Sequence, residues 1–96
     1  MQPDIVCSRI AEMESYLDAV REAMKQKPKS WWKDAAIREK LHILEDYYEN
    51  GQWLADYERD ERGELPLELK RGVLSQDALY DLLEEAASVN EISSKA

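Results

Sequence analysis

Apolar residues at Val6, Ile10, Met13, Leu17, Val20 and Met24 recur at alternating spacings of four and three, the period of a helix face that packs along a second helix at a shallow angle. Pro3 and Asp4 suit the start of such a helix and Pro28 its end, so the pattern predicts a first helix over Asp4 to Lys27. Ile37, Leu41, Leu44 and Tyr48 repeat the spacing and predict a second helix over Lys33 to Glu49, with Asn50-Gly51 as its stop. The link from Lys25 to Ser30 is short, polar and proline-containing, as a turn between antiparallel helices is. The two seams are therefore expected to cover one another within the chain. Gln52 to Glu61 predicts a third, shorter helix with Trp53, Leu54 and Tyr57 on one face and Asp56, Arg59 and Asp60 opposite; Gly63 ends it.

Between Gly63 and Leu83 the signals are local. Pro66 and Gly72 bracket room for one short helical turn, with Gly72 expected in a left-handed cap. Ser75 is the candidate N-cap of a fourth helix, Asp77 places negative charge in its first turn, and Leu79, Leu82, Leu83 and Ala86 form its apolar stripe. After Ala87 the apolar pattern is lost, and residues 88–96 are expected to fray. The whole predicts one all-α domain over residues 1–96: a long antiparallel helical hairpin with two shorter helices packed across its open end.

Two blocks in this half of the chain, EDYYENGQW from Glu45 to Trp53 and GELPLELKRGVLSQDALYDLL from Gly63 to Leu83, resemble a bacterial family known as domain of unknown function 4298. Its members share YY-x-x-G-x-W followed by GxLPxxLKRGVLSxDxLYDLL. The likeness runs from about Leu44 to Glu85, while residues 1–43 share helical character alone. It implies a bacterial source and a compact helical fold, and it transfers no functional residue.

Composition narrows the function classes. A content of 44% hydrophobic residues with three Trp in 96 residues argues for a folded chain, and 35% charged residues for a heavily solvated surface. A lone Cys7 forms no internal disulfide, and no basic segment followed by an apolar run opens the chain, so a cytoplasmic location is expected. No apolar run approaches the roughly 20 residues that span a bilayer. Residues 1–44 carry 7 acidic and 8 basic groups, residues 45–68 carry 9 and 2, and residues 69–96 carry 5 and 3, so −7 of the net −8 resides in the middle segment. Such a balance opposes direct binding to nucleic acid or to anionic membrane, where affinity comes from Lys and Arg. A basic protein surface is the expected partner.

The candidate chemistry is sparse. Asp56, Glu58 and Asp60 alternate as in a calcium loop, but aligning Gly63 to the turn glycine puts Arg62 and Leu69 at ligand positions. Glu45-Asp46-x-x-Glu49 resembles the EExxE element of all-α nucleotide pyrophosphohydrolases, which hold magnesium, yet the second acidic pair, ExxD, is missing. A magnesium-dependent enzyme of that kind is the alternative reading, and a self-associating helical module, as monomer or homodimer, is another. No nucleophile motif, phosphate loop or zinc spacing is present, so no catalytic residue, metal ligand or cofactor is expected. Cys7 and His42 lack companions, Lys70-Arg71 suits a helix end, and Trp31 and Trp32 follow the lysine cluster of Lys25, Lys27, Lys29 and Lys33 as a candidate docking end. The leading expectation is a non-catalytic binding module or inhibitor whose acidic aromatic surface, built from Glu49, Trp53, Asp56, Tyr57, Asp60 and Glu61, meets a basic partner protein.

Overall fold

A computed structural model describes residues 3–75 and 77–95, with side chains described for residues 5–75 and 77–88. Helix α1 spans Pro3–Gln26, α2 Ala35–Glu49, α3 Gln52–Glu61 and α4 Ala78–Lys95, with single 3-10 turns at Trp31–Lys33 and Gly72–Leu74. The chain is all-α, and among the described residues there is no strand.

The α1 seam is the floor of the core. Val6, Ile10, Met13, Leu17 and Val20 are buried and Met24 is partly buried, all against the same chain. α2 lies along α1 and contributes Leu41, Leu44 and Tyr47, with Tyr16 of α1 beside Lys40 of α2. The expected inward residue at the end of α2 was Tyr48. Tyr47 is the more buried of the pair, its hydroxyl turned inward to Asp56 of α3.

α2 starts two residues later than its apolar spacing suggests. Asp34 takes the cap position, its Oδ1 accepting from the backbone N–H groups of Ala36 at 2.9 Å and Ile37 at 3.4 Å; such a cap contributes about 1 kcal/mol. Trp31–Lys33 forms a 3-10 turn before it, in which Trp31 is buried and Trp32 meets it edge-on at 5.8 Å, half-buried. Gly51 joins α2 to α3 at φ 93°, while Asn50 Oδ1 accepts from Gln52 N–H at 2.9 Å. Gly63, at φ 72°, closes α3 with paired bonds from Gly63 N–H to Asp60 O and Glu64 N–H to Arg59 O, both 3.0 Å, the capping pattern that favours glycine.

Four expectations about the second half change. Residues 66–71 form a turn and not a helical segment, with Leu69 N–H on Pro66 O at 3.3 Å. Gly72 is not left-handed: among the described residues only Gly51 and Gly63 have positive φ. The position is close to α1 instead: a Cβ on Gly72 would lie 3.0 Å from Glu14 Oε2, a tight contact that the Glu14 carboxylate must relieve by moving a few tenths of an ångström. α4 begins at Ala78, so Asp77, whose carbonyl accepts from Asp81 N–H at 2.8 Å, stands at its start in place of Ser75, the residue that closes the 3-10 turn. α4 is also no short helix. Its 18 residues exceed the 15 of α2, and its backbone stays helical past Ala87 to Lys95. Leu79, Leu82 and Ala86 are its buried stripe, set against α2 and the Val73-Leu74 plug.

Candidate functional site

Asp56 was expected on the solvent face of α3, and it is fully buried, at 0% exposure. The inward face of α3 is Trp53, Asp56 and Asp60 with Tyr57 at its margin, at steps of three and four, while Leu54 is 52% exposed. Burial of a carboxylate is tolerable only with partners that replace water. Arg9 of α1 supplies a fork, Nε to Oδ2 at 3.0 Å and Nη2 to Oδ1 at 2.6 Å; Arg59 Nη1 reaches Oδ1 at 3.2 Å; and the Tyr47 hydroxyl donates to Oδ2 at 2.7 Å. Two donors on each oxygen use the acceptor capacity of the group. Burial, then the hydrogen bond to Asp56, hold the Tyr47 phenol far above its ordinary pKa, and the same carboxylate raises that of Arg9. With its lone pairs occupied and no water contact, Asp56 ties α1, α2 and α3 together and has no oxygen free for a metal or a substrate.

Asp60 is likewise engaged. The Arg71 guanidinium bonds to its carboxylate and to the Pro66 carbonyl, and Arg71 Nε reaches Leu69 O at 3.4 Å. The arginine of the LKRGVLS block thus fastens the 66–71 turn to α3. Val73 is clamped at both backbone groups, its N–H donating to Glu14 Oε1 at 2.7 Å and its carbonyl accepting from Trp53 Nε1 at 2.8 Å. Sequence reasoning missed Arg9 and Glu14 altogether. The available signal was indirect: acids at the third and seventh positions after Trp53, where an apolar stripe belongs, require cations from elsewhere in the fold.

The acidic and aromatic residues left at the surface coincide in part with the expected set. Tyr48, Trp53 and Tyr57 form a ladder, with ring centroids 5.2 Å apart for the first pair and 5.1 Å for the second, the latter nearly parallel at 17°. Trp53 is the buried rung and its two neighbours are half-buried. At one end, hydrogen bonding to Glu61 raises the Tyr57 phenol pKa. At the other, Tyr48 opens into a groove of about 250 Å³ between α2 and α4, lined by Glu45, Tyr48 and Glu49 from one helix and Tyr80, Leu83, Glu84 and Ala87 from the other. Hydrogen bonding to Glu84 raises the Tyr80 phenol as well. No lysine or arginine lines this groove. Of the six expected site residues, Glu49, Tyr57 and Glu61 are on this band, Trp53 is its buried support, and Asp56 and Asp60 are occupied in holding the fold.

Glu45 is half-buried and approached by His42 Nδ1 at 3.6 Å, while Asp46 and Glu49 are exposed. Among the described residues no three His, Cys, Asp or Glu side chains are gathered as a metal site. Cys7 is half-buried in α1 and Ser75 is exposed. No helix among the described residues is long and apolar enough to cross a membrane.

Fold and site together define a small all-α domain with an internally paired polar centre and an acidic aromatic band on one side. The chain belongs to the family described as domain of unknown function DUF4298, which it matches over residues 10–92. That span takes in most of α1 and all of α2, where the sequence blocks had suggested likeness only from Leu44 onward, and it includes Glu14 of α1, whose carboxylate accepts from Val73 N–H in the second block. No curated protein and no solved structure matches the chain.

Proposed function

We propose that the chain is a non-catalytic protein-binding module, or an inhibitor, that presents its acidic aromatic band to a basic surface of a partner protein. The observation that carries this reading is the α2–α4 groove, lined by three carboxylates, two tyrosines, Leu83 and Ala87, with no lysine or arginine among them. Carboxylates at a rim steer a basic partner and set the salt dependence of its arrival, while aromatic side chains supply contact area at low entropic cost. Glu49, Tyr57 and Glu61 keep the role expected of them, joined by Glu45, Tyr48, Tyr80 and Glu84. The chain acts as a monomer or homodimer with no cofactor. A cytoplasmic setting in a bacterium goes with this reading, supported by the family resemblance and the single unpaired cysteine.

The test is a panel of twelve-residue peptides, basic, neutral and acidic, measured against the full chain at low and physiological salt. The reading expects binding by the basic set alone, weakening as salt rises. Equal binding of the neutral or acidic sets overturns it.

A further inference from the structure

The α2–α4 groove has a size and chemistry that specify more than a generally basic partner. At about 250 Å³ it falls below the roughly 300–1,000 Å³ of sites that hold a small-molecule ligand, and it matches one long side chain. Leu83 and Ala87 are its apolar lining, suited to a methylene stem. Tyr48 and Tyr80 flank it, the latter 48% exposed, and Glu45, Glu49 and Glu84 stand on both helices around the opening. Glu45 and Glu49 are four apart on α2 and share a face, so together with Glu84 across the groove they surround a point charge from two sides. A cation seated there gains from the tyrosine ring faces as well as from the carboxylates.

We propose that this groove is a specificity pocket for a single arginine side chain presented by the partner. The inference rests on the binding-module reading above and goes further by naming the group that is captured. Arginine is favoured over lysine because its planar guanidinium stacks on an aromatic ring while its fork reaches carboxylates on either side, and it is less strongly hydrated than an ammonium. Leu83 and Ala87 take the stem, the tyrosines take the plane, and the three glutamates take the charge.

The experiment is a two-dimensional NMR titration of the full chain with a capped arginine tripeptide, its lysine counterpart and its citrulline counterpart, which keeps the shape and removes the charge. The arginine peptide is expected to shift the amides of residues 45, 48, 49, 83, 84 and 87, with lysine weaker and citrulline about tenfold weaker or more, the factor that about 1.4 kcal/mol of charge pairing and cation–π attraction supplies. Ala87→Trp fills the groove at an exposed helical position without altering charge, and it is expected to abolish those shifts. Tyr80→Ala, also at an exposed position, serves if the tryptophan variant is not helical, and is expected to weaken the arginine peptide selectively. Shifts elsewhere, equal response to citrulline, a preference for lysine, or arginine binding that survives Ala87→Trp overturns the pocket. Loss of the pocket alone leaves salt-dependent binding of basic peptides intact; loss of the band removes that too.

Discussion

Replacing Asp56 by alanine tests the reassignment of the acidic segment most severely. The carboxylate is fully buried, and its removal takes the partner from the Arg9 fork and the Tyr47 hydroxyl and one contact from Arg59, the two arginine side chains being only 24% and 18% exposed. Breaking a buried pair from one side costs about 3–5 kcal/mol, and the residual water contact of the two arginines places this case near the lower end. At about 4–8 °C per kcal/mol for a domain of this size, a loss near 3 kcal/mol lowers Tm by about 12–24 °C. Against total stabilities of about 5–15 kcal/mol, that is a large share. Thermal and urea unfolding followed by far-ultraviolet circular dichroism measures it, with the midpoint moving at constant slope if the variant still folds in one step. In an Arg9→Met background the cost of Asp56→Ala should fall by 1 kcal/mol or more, since the partner is already absent. A loss under about 1 kcal/mol, the value of an exposed ion pair, would refute the claim that this carboxylate holds three helices together.

Leu17→Asp places an unpaired charge at a position with 0% exposure in the α1 seam; truncation alone costs about 2–5 kcal/mol, so an unfolded chain is expected, and a folded monomer by light scattering and circular dichroism would refute a seam buried within the chain. Tyr47 carries a phenol pKa raised above its ordinary value near 10, so above about pH 10 the unfolded chain releases a proton that the folded chain keeps, and stability falls as pH rises. Below that pH the contribution is fully present. Tyr47→Phe, which costs about 1 kcal/mol for the lost hydrogen bond, should reduce the decline in Tm between pH 9 and 11, and an unaltered slope would place the effect on Tyr16, Tyr57 and Tyr80, whose phenols are raised as well.

The helices were legible because a three-and-four apolar period has few other uses, and Pro28, Asn50, Gly51 and Gly63 mark boundaries by their own backbone restrictions. Leu17, Leu44, Leu79 and Leu82 fell where the spacing put them. What escaped was everything decided by a tertiary partner. Asp56 looks like a solvated acid until Arg9, 47 residues away, is brought to it. Gly72 looks like a left-handed cap until Glu14, in another helix, is seen to lie close against it. Tyr47 and Tyr48 are adjacent and chemically alike, and only the packing of α3, whose Asp56 accepts from the Tyr47 hydroxyl, decides which is buried. The acidic aromatic surface was anticipated in composition and only in part in position, since Tyr80 and Glu84 of α4 come beside Glu45 and Glu49 only through the packing of α4 on α2.

The central claim is that the acidic residues divide into a buried set that holds the fold and a groove set that receives a basic partner. Its most direct test is the association rate of the tightest basic peptide, by stopped flow across ionic strengths from about one Debye length of 30 Å to one of 8 Å, for the natural chain and for Glu45→Gln/Glu49→Gln/Glu84→Gln. The account predicts a variant with Tm within a few degrees of the natural chain, a slower association at low salt and a flattened salt dependence. An unchanged rate and salt response in a folded triple variant would contradict it.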